Sequence, residues 1–329
     1  MISASDDHPD LSLVIPLYDE EECISEFIRQ VRSSIDLLPF SYEIIFVDDG
    51  SQDRTVEIVI DFCKSDPRIA LIQLTRNYGK EAALTAGITH ASGAFILMMD
   101  PDLQDPPERI VDFYNKIREG YDLVFSTRIE KSDSLIRKLT SKIFWSTLNT
   151  VTGLNIPPNL GAMRIFSQAF AQEFLRYPER VRFIEGLFMS IGMRRTTIEI
   201  ENRPRFAGVS KFTLKRRIKL ATNAMLAFSD LPLRFTMSLG LAGVLASIFF
   251  GLIIVFRKAI FGIGLLGWTS TVTIIIFFGS LQLFVLGLIG NYIGRIYTEI
   301  KARPVYSIYH TFNLKQDQGS EHVDASGQG

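Results

Sequence analysis

The sequence predicts an α/β domain built on a parallel sheet, followed by two membrane-spanning helices. Short apolar, β-rich runs alternate with segments of helical periodicity through the first half of the 329-residue chain. The second half differs, because the 36 residues between Lys258 and Arg295 contain no Asp, Glu, Lys or Arg. Five basic residues are crowded into 211–219, just before the apolar half, which is typical of a segment at a membrane surface.

The composition narrows the class of protein. Hydrophobic residues make up 47% of the chain, enough to build a core and leave apolar sequence over. A net charge of −1 argues against a nucleic-acid-binding protein. Cys23 and Cys63 are too few for a disulfide framework, so they predict buried thiols in a reducing compartment. The polar, acidic first ten residues lack the features of a cleaved signal peptide.

Five apolar runs bounded by turn residues predict strands at residues 11–15, 43–47, 70–74, 95–99 and 122–126. Helical periodicity between the first four predicts helices at residues 21–37, 55–64 and 80–91. A chain in which strands and helices alternate forms a parallel sheet that is covered by helices on both faces.

Ligands of such sheets bind outside the carboxyl ends of the strands. Five residues fall at the ends of three predicted strands, namely Pro16, Asp48, Asp49, Asp100 and Asp102. Each of these residues alone is an ordinary turn residue. Their convergence at one edge of the sheet predicts a binding crevice.

The Asp-x-Asp pair follows an apolar strand within the run MMDPDLQDPPE. Asp100 and Asp102 can supply oxygen ligands to one hard divalent cation, and Gln104 can add a neutral oxygen. A cation held in this way can bridge the oxygens of a diphosphate.

Asp48 closes the second predicted strand. Its carboxylate can accept hydrogen bonds from base N–H groups or ribose hydroxyls. Ser51 and Asp53 follow shortly afterwards and are interpreted as caps of the next helix rather than as ligands.

Residues 236–256 and 268–293 predict the two membrane spans. The first is an uncharged stretch of 21 residues. At about 1.5 Å per residue, it is long enough to cross a hydrocarbon core of about 30 Å. Frequent glycines in both spans suit close helix packing in lipid and favour a homo-oligomer.

The charges that flank the spans predict their orientation. The basic cluster precedes the first span, and Arg295, Lys301 and Arg303 follow the second. The positive-inside rule therefore puts both ends in the cytoplasm. Arg257 and Lys258, in the connecting loop, count against this orientation.

Between the two halves, apolar residues recur at helical spacing, at Leu214, Ile218, Ala221, Met225 and Phe228. This pattern predicts either a helix that lies in the bilayer interface or an amphipathic helix that packs on the first domain. The two interpretations are compatible.

Five sequence motifs occur in the order found in one enzyme family. They are IPLYDEEE (15–22), VDDGSQDRT (47–55), RNYGKEAALTAG (76–87), MDPDLQDPPE (99–108) and RFAGVSKF (205–212). In these motifs, over about two-thirds of its length, the chain resembles family 2 glycosyltransferases that load a sugar onto a polyprenyl phosphate. The bactoprenol-phosphate glucosyltransferases, which are related to dolichol-phosphate mannose synthase, are the most similar subtype.

The resemblance implies a glycosyltransferase A-type, Rossmann-like fold and inverting, metal-dependent transfer of a hexose from a nucleotide sugar. The implied organisation is a cytosolic catalytic domain at 1–210, amphipathic interfacial helices at 211–234, a two-helix transmembrane domain at 235–297 and a partly disordered cytosolic tail at 298–329. The implied location is the inner (plasma) membrane, with polyprenyl phosphate as the acceptor.

The resemblance also implies roles for residues at matching positions. Pro16, Tyr18, Glu20 and Asp48 would hold the nucleotide. Asp100 would contact the ribose or the metal, and Asp102 with Gln104 would bind Mg²⁺ or Mn²⁺. Asp102 also belongs to the implied catalytic set.

The other residues implied at the reacting phosphates are Arg128 and Arg137, which would face the acceptor, and Arg205, Ser210 and Lys211, in a loop over the donor diphosphate. These basic groups would offset the charges of two phosphates.

The chain departs from the family pattern in two places. Asn159 and Ala162 stand in a segment where relatives often carry an acidic residue, and Asp19 replaces the usual Asn of the first motif. A dedicated general base is therefore in doubt. A phosphate monoester with a second pKa of about 6 is already largely ionised at neutral pH, so a lipid-phosphate oxygen can attack the anomeric carbon in line without one. Asp105 and Glu185 are weaker candidates for an auxiliary acid or base.

Other interpretations remain open at this stage. One alternative is a polyprenyl-phosphate mannosyltransferase that uses GDP-mannose as the donor. The sequence around RFIEGL (182–187) resembles the glucosyl subtype more closely and therefore favours UDP-glucose. A processive polysaccharide synthase usually carries a Gln-x-x-Arg-Trp motif, and neither Trp145 nor Trp268 lies in one. A non-catalytic, membrane-anchored sugar-nucleotide-binding protein would explain the missing carboxylate but not the retained Asp102, Arg205 and Lys211.

Overall fold

The computed structural model describes residues 8–36, 38–129, 146, 149–150, 152–154, 156–157, 159–180, 183–201, 203, 229, 231–261 and 267–314. The strands within these residues are β1 Leu11–Leu17, β2 Tyr42–Asp48, β3 Ile69–Leu74, β4 Phe95–Met98, β5 Leu123–Ile129, β6 Leu160–Ser167, β7 Arg195–Glu201 and β8 Ile308–Phe312. The helices are α1 Ile24–Ile35, α2 Thr55–Ser65, α3 Lys80–His90, α4 Ile110–Ile117, α5 Gln168–Leu175, α6 Ile184–Ser190, α7 Leu231–Phe261 and α8 Trp268–Ile300.

All of these strands belong to one mixed sheet, in the order β7-β5-β6-β4-β1-β2-β3-β8. The strands β4, β1, β2 and β3 are parallel neighbours, as predicted. The sheet also contains two antiparallel strands that the sequence did not indicate, namely β6, which runs between β4 and β5, and β8, which pairs with β3. Both antiparallel strands follow the part of the chain where strands and helices alternate regularly, and it is that alternation which imposes parallel pairing.

The sheet is covered on both faces, and β1 is buried along its whole length. Leu13 and Ile15 belong to the cluster that β1 forms with α1, α2 and α4, whereas Val14 packs in the cluster that contains α3, α5 and α6. Burying one such side chain stabilises the fold by about 1.5–3 kcal/mol. The ends of the central strands are therefore held firmly in place.

The two long helices α7 and α8 each contain a stretch that is long and apolar enough to cross a membrane, at Leu233–Ile253 and Ile274–Ile300, with a mean hydropathy of 2.0 in both. Their apolar side chains are largely exposed. Both helices extend beyond the predicted 235–297 boundaries. Of the predicted interfacial segment 211–234, residues 231–234 form the first turn of α7, and the other residues, apart from 229, lie outside the described residues.

The chain returns to the first domain after α8. The segment 298–329 was expected to be a partly disordered tail, but within it residues 308–312 form β8 at the edge of the sheet. The Asn313 side-chain amide donates to the carbonyls of Cys63 (2.6 Å) and Ile69 (3.0 Å) and so fixes the end of this strand. Residues 315–329, predicted to be disordered, lie outside the described residues.

Candidate active site

The carboxyl ends of β1, β2 and β4 meet at one edge of the sheet. Pro16 lies within β1, where a missing N–H group normally interrupts the ladder. Here β4 has already ended at Met98, and the last bond between the two strands runs from the Met99 N–H to the Val14 carbonyl (3.4 Å). Pro16 therefore costs no ladder bond. It marks the point where β1 and β4 separate and the crevice begins.

Two loops beside the crevice, residues 18–23 and 49–54, hold each other through hydrogen bonds. Ser51 Oγ accepts from the Asp19 N–H (3.0 Å), and Asp19 Oδ1 accepts from the Gln52 N–H (2.8 Å). Asp19 also has a left-handed backbone (φ 52°), which Asn and Asp tolerate better than other residues. Asp19 in place of the usual Asn therefore keeps both the conformation and the acceptor.

Asp53 joins the same two loops. Its Oδ1 accepts from the Thr55 N–H (3.0 Å) at the start of α2, and its Oδ2 accepts from the Glu21 N–H (3.1 Å). Asp53 thus bonds the first residue of α2, although the N-cap position itself is Arg54 and has no side-chain cap. Ser51 bonds the neighbouring loop and does not cap the helix. The carboxylate of Glu20, a predicted nucleotide ligand, accepts from Cys23 Sγ (3.1 Å) in its own turn.

Asp48 and Asp49 are both buried at the end of β2. The Asp48 carboxylate accepts from the backbone N–H groups of Gly50 (3.2 Å) and Ser51 (3.1 Å). The Asp49 carboxylate accepts from the Tyr78 N–H (2.6 Å) and from the N–H of the next residue (2.8 Å). Burial raises the pKa of both carboxyl groups. Together these two side chains fix the shape of the loops around the crevice, and the sequence did not indicate this role for Asp49.

A cavity of about 430 Å³ opens above the ends of β2 and β3. Gly50 allows the two sides of the cavity to approach closely. It has φ +77°, and a Cβ atom at this position would lie only 2.8 Å from backbone atoms of Arg76 and Asn77. The Arg76 guanidinium lies over the Tyr78 ring, 4.6 Å from its centroid. The residues that line the cavity are Tyr18, Gly50, Ser51, Gln52, Gln73, Leu74, Thr75, Arg76, Asn77 and Tyr309.

Asp100, which follows β4, forms an ion pair with Lys80 at the start of α3. The Lys80 ammonium lies 2.7 Å from Asp100 Oδ1 and 2.8 Å from Oδ2. Burial would raise the pKa of Asp100, but Lys80, and further away Arg164 and Arg128, hold it below its ordinary value. Asp100 is therefore a carboxylate at neutral pH. Lys80 lies in the third motif and was not assigned a role from the sequence.

The turn after Asp100 is tight. Leu103 has a left-handed backbone (φ 58°), which is an outlier for a bulky residue. Asp102, which is 6% exposed, accepts a hydrogen bond from the Gln104 N–H (3.1 Å). The three predicted metal ligands, Asp100, Asp102 and Gln104, thus lie in one tight turn. Two carboxylates and an amide oxygen are the donors that Mg²⁺ and Mn²⁺ prefer.

A cation held there would need further ligands. Among the residues that the structure describes, no three His, Cys, Asp or Glu side chains are grouped closely enough to hold a metal ion by themselves. Mg²⁺ characteristically takes one or two carboxylates from the protein and completes its sphere with substrate phosphates and water. The donor set therefore fits a metal that is bound together with a diphosphate.

Asp105 lies beneath this turn and is 1% exposed. Its Oδ2 accepts from the Met163 N–H (2.8 Å), and its Oδ1 lies 3.5 Å from the guanidinium of Arg128 without a hydrogen-bond partner. Burial raises the pKa of Asp105, and the charges of Asp100 and Asp102 raise it further, against the lowering effect of Arg128. Asp105 is placed to position Arg128 rather than to reach solvent.

Arg164 on β6 is a buried cation that is not among the residues predicted from the sequence. It is 5% exposed, its Nη2 lies 3.2 Å from Glu185 Oε1, and its Nε donates to the Ala162 carbonyl (3.3 Å). Burial would raise the pKa of Glu185, but Arg164 holds it below its ordinary value. Glu185 is therefore a paired carboxylate and not a proton donor at neutral pH. The available signal was an arginine within the apolar run GAMRIF, since a buried arginine requires a partner.

The segment that lacks the family carboxylate supplies backbone acceptors instead. Asn159 has a left-handed backbone (φ 60°), and its carbonyl accepts from the Arg128 N–H (2.9 Å). The Ala162 carbonyl bonds Arg164, as described above. Four predicted site residues, namely Arg137, Arg205, Ser210 and Lys211, lie outside the described residues, and their roles stay predictions.

The matching family model and two similar proteins all point to glycosyltransferases. The model of Glycosyl transferase family 2 matches residues 12–175. An uncharacterized glycosyltransferase of Synechocystis sp. is 37% identical over 307 residues, which cover 93% of this chain and 96% of that protein. The SfII prophage-derived bactoprenol glucosyl transferase of Shigella flexneri is 36% identical over 299 residues, covering 91% of this chain and 97% of that protein.

Among solved structures, the chain is similar to glucosyl-3-phosphoglycerate synthase from Mycobacterium tuberculosis in complex with Mn²⁺, UDP and glucosyl-3-phosphoglycerate. The TM-score is 0.46 at 17% sequence identity, and the match covers 66% of this chain and 78% of that chain.

Proposed function

The chain belongs to glycosyl transferase family 2, and from that premise we propose that it transfers glucose from UDP-glucose to a polyprenyl phosphate at the cytosolic face of the inner membrane. Its similarity to bactoprenol glucosyl transferases over most of both chains supports the lipid acceptor. The transfer replaces the bond between the anomeric carbon and the donor phosphate by a bond to a lipid-phosphate oxygen, and UDP leaves.

One structural observation carries the proposal, namely that the second apolar helix ends on the catalytic domain. The Glu299 carboxylate in the last turn of α8 accepts from the Arg180 backbone N–H (3.0 and 3.2 Å). From the end of α8, residues 301–307 reach β8 at the edge of the catalytic sheet. At about 3.3–3.6 Å per residue, this connection extends at most about 25 Å. With α7 and α8 in a bilayer, the crevice therefore stays close to the lipid headgroups.

The residues of the crevice suit the charges of such a transfer. Asp100, Asp102 and Gln104 would hold Mg²⁺ or Mn²⁺, which stabilises the negative charge on the leaving diphosphate when it is bound. Lys80 keeps Asp100 ionised as a ligand. Asp105 orients Arg128 toward the acceptor phosphate, where a guanidinium can form two parallel hydrogen bonds.

We further propose that Arg137, Arg205, Ser210 and Lys211 contact the two reacting phosphates, as the family resemblance implies. Neither of the candidate auxiliary groups suits proton transfer, because Asp105 is buried against Arg128 and Glu185 is paired with Arg164. The acceptor phosphate needs no such help, since it is already largely ionised at neutral pH.

The proposal is tested with purified full-length protein, undecaprenyl phosphate, Mg²⁺ and a panel of radiolabelled nucleotide sugars. We expect lipid labelling from UDP-glucose, abolished by EDTA and reduced at least about a hundredfold in Asp102→Asn. Asp61→Asn is the matched control, because Asp61 lies exposed on α2 and pairs with Lys64. Labelling from GDP-mannose alone would replace the donor assignment. Absence of labelling from every donor would reject the proposed transfer, and full activity in Asp102→Asn would reject the metal-binding role of Asp102.

A further inference from the structure

The strand that follows the second apolar helix forms part of the wall of the nucleotide cavity. Pairing of β8 with β3 joins His310 to Gln73 and Ile308 to Leu74, with a register shift between these two pairs. Tyr309 is therefore the extra residue of a bulge. Bulges redirect a side chain and are frequent beside active sites. Tyr309 lines the cavity together with Tyr18.

Hydrogen bonds anchor the segment that carries Tyr309. The first lies before Tyr309 in the chain and joins the segment to a residue that lines the cavity. The Thr75 N–H donates to the Ser307 carbonyl (3.0 Å), and the hydroxyls of Thr75 and Tyr78 lie 2.9 Å apart. Hydrogen bonds with Ser307, Thr75 and Arg76 lower the pKa of Tyr78 to about 8. On the far side, the Asn313 amide anchors the strand end to the carbonyls of Cys63 and Ile69. The backbone that carries Tyr309 is thus fixed on both sides of this residue.

Although the backbone around it is held in place, the Tyr309 side chain is largely exposed. Tyr309 is 64% exposed, and most of the residues that line the cavity beside it are polar. An exposed aromatic ring on an anchored strand beside a cavity is a suitable surface for a nucleobase, because every base has a flat π face that stacks on an aromatic side chain.

We propose that Tyr309 stacks on the base of the donor nucleotide, so that the strand beyond the second membrane helix completes the nucleotide pocket. This inference rests on the proposed function, because it takes a nucleotide sugar as the occupant of the cavity. Stacking does not distinguish one base from another. Tyr309 therefore contributes affinity for the nucleotide, and the choice between uracil and guanine lies with other residues.

The test measures the affinity of the full-length protein for UDP and for GDP by calorimetry in the presence of Mn²⁺. We expect Tyr309→Ala to weaken UDP binding about tenfold, the size expected for one lost stacking contact. Tyr309→Phe keeps the ring and should stay within about twofold of the unmodified protein. Tyr297→Ala is the matched control, because Tyr297 is 59% exposed on α8 and does not line the cavity.

Inorganic pyrophosphate separates stacking from a structural effect, since it binds the phosphate end of the site and has no base. The affinity for pyrophosphate itself, measured directly by calorimetry, should be unchanged in Tyr309→Ala. Loss of pyrophosphate binding in that variant, or an equal loss of UDP affinity in Tyr309→Phe, would overturn the stacking role. UDP affinity that is unchanged in Tyr309→Ala also rejects this inference but leaves the proposed function intact. If the unmodified protein binds neither UDP nor GDP, both proposals fail together.

Discussion

Lys80 and Asp100 show how a single residue pair sets the charge of the crevice. The ammonium of Lys80 lies within 2.8 Å of both carboxylate oxygens of Asp100. An ionised carboxylate next to a cation is already in the form that a divalent metal requires. Lys80 therefore prepares Asp100 for the metal, and the arriving metal competes with Lys80 for the same oxygens.

We predict that Lys80→Gln shifts the pH dependence of transfer. Burial acts to raise the pKa of Asp100 and Lys80 acts to lower it, so loss of the ammonium raises this pKa. Activity that needs the ionised carboxylate is lost as the pH falls through that pKa. The acid limb of kcat/KM for the donor should therefore move to higher pH. Lys64→Gln, at an exposed pair on α2, serves as the control, and an acid limb that coincides in all three proteins would contradict this role.

Other single residues show what the sequence could and could not indicate. Asp100 and Asp102 were identifiable because their spacing and their position after an apolar strand point to metal chemistry. The partners of Asp100 and Asp105 were not, because Lys80 and Arg128 reach them from other elements through folding. Arg164 carried a local signal, but its partner Glu185 lies on α6, and no spacing in the chain relates the two.

At the scale of elements, the first four strands were predictable because each is an apolar run between turn residues and a helical pattern separates each strand from the next. The strand β8 was not. Its residues, IYHTF, are half polar, and its burial pattern is almost wholly exposed. Only pairing with β3 makes this segment a strand, and that partner lies more than two hundred residues earlier in the chain. The Tyr309 side of the cavity could therefore not be derived from local pattern.

The loop between β2 and α2 provides a second prediction. Gly50→Ala should destabilise the fold by more than Gly192→Ala and should also weaken UDP binding. The two glycines share a left-handed backbone, with φ +77° and +76°, which costs an L-residue about 1–2 kcal/mol. A Cβ at Gly50 would also lie 2.8 Å from the Arg76 carbonyl carbon, whereas at Gly192 it meets nothing within 4 Å.

The comparison of these two variants isolates the close approach of the cavity walls from backbone strain. Thermal unfolding gives the stability of each variant, and calorimetry gives its affinity for UDP. Because the neighbouring atoms at Gly50 are backbone, they cannot rotate away, and we expect a further loss of about 1–3 kcal/mol. Equal losses in the two variants would show that the walls can separate without cost.

At the scale of the whole molecule, the chain leaves the sheet before the two apolar helices and returns to the same sheet after them. It leaves the catalytic sheet after β7, passes through α7 and α8, and returns to the opposite edge of the same sheet as β8. The apolar pair of helices is thus attached to the catalytic domain at both ends rather than by one linker. Such a connection restricts how far the crevice can move from a bilayer that holds the two helices.

Weakening the contact between Glu299 and Arg180 tests whether this restriction matters for catalysis. The carboxylate of Glu299 accepts from the Arg180 N–H with both oxygens. A hydrogen bond to a charged group contributes about 1.5–3 kcal/mol. Glu299→Gln removes the charge while keeping the shape, so the end of α8 should be held less firmly on the catalytic domain.

We expect Glu299→Gln to lower kcat/KM for undecaprenyl phosphate in liposomes about tenfold, the change that corresponds to about 1.4 kcal/mol. The affinity for UDP should not change, because the nucleotide cavity lies at the ends of β2 and β3 and does not include Glu299. Glu119→Gln, which breaks an exposed pair with Lys116, is the control. A selective loss toward the lipid acceptor is the signature of a docking contact. A parallel loss of UDP affinity would instead show that the helix end supports the fold of the catalytic domain, and no loss in either measurement would show that the remaining connections suffice to hold the crevice at the membrane.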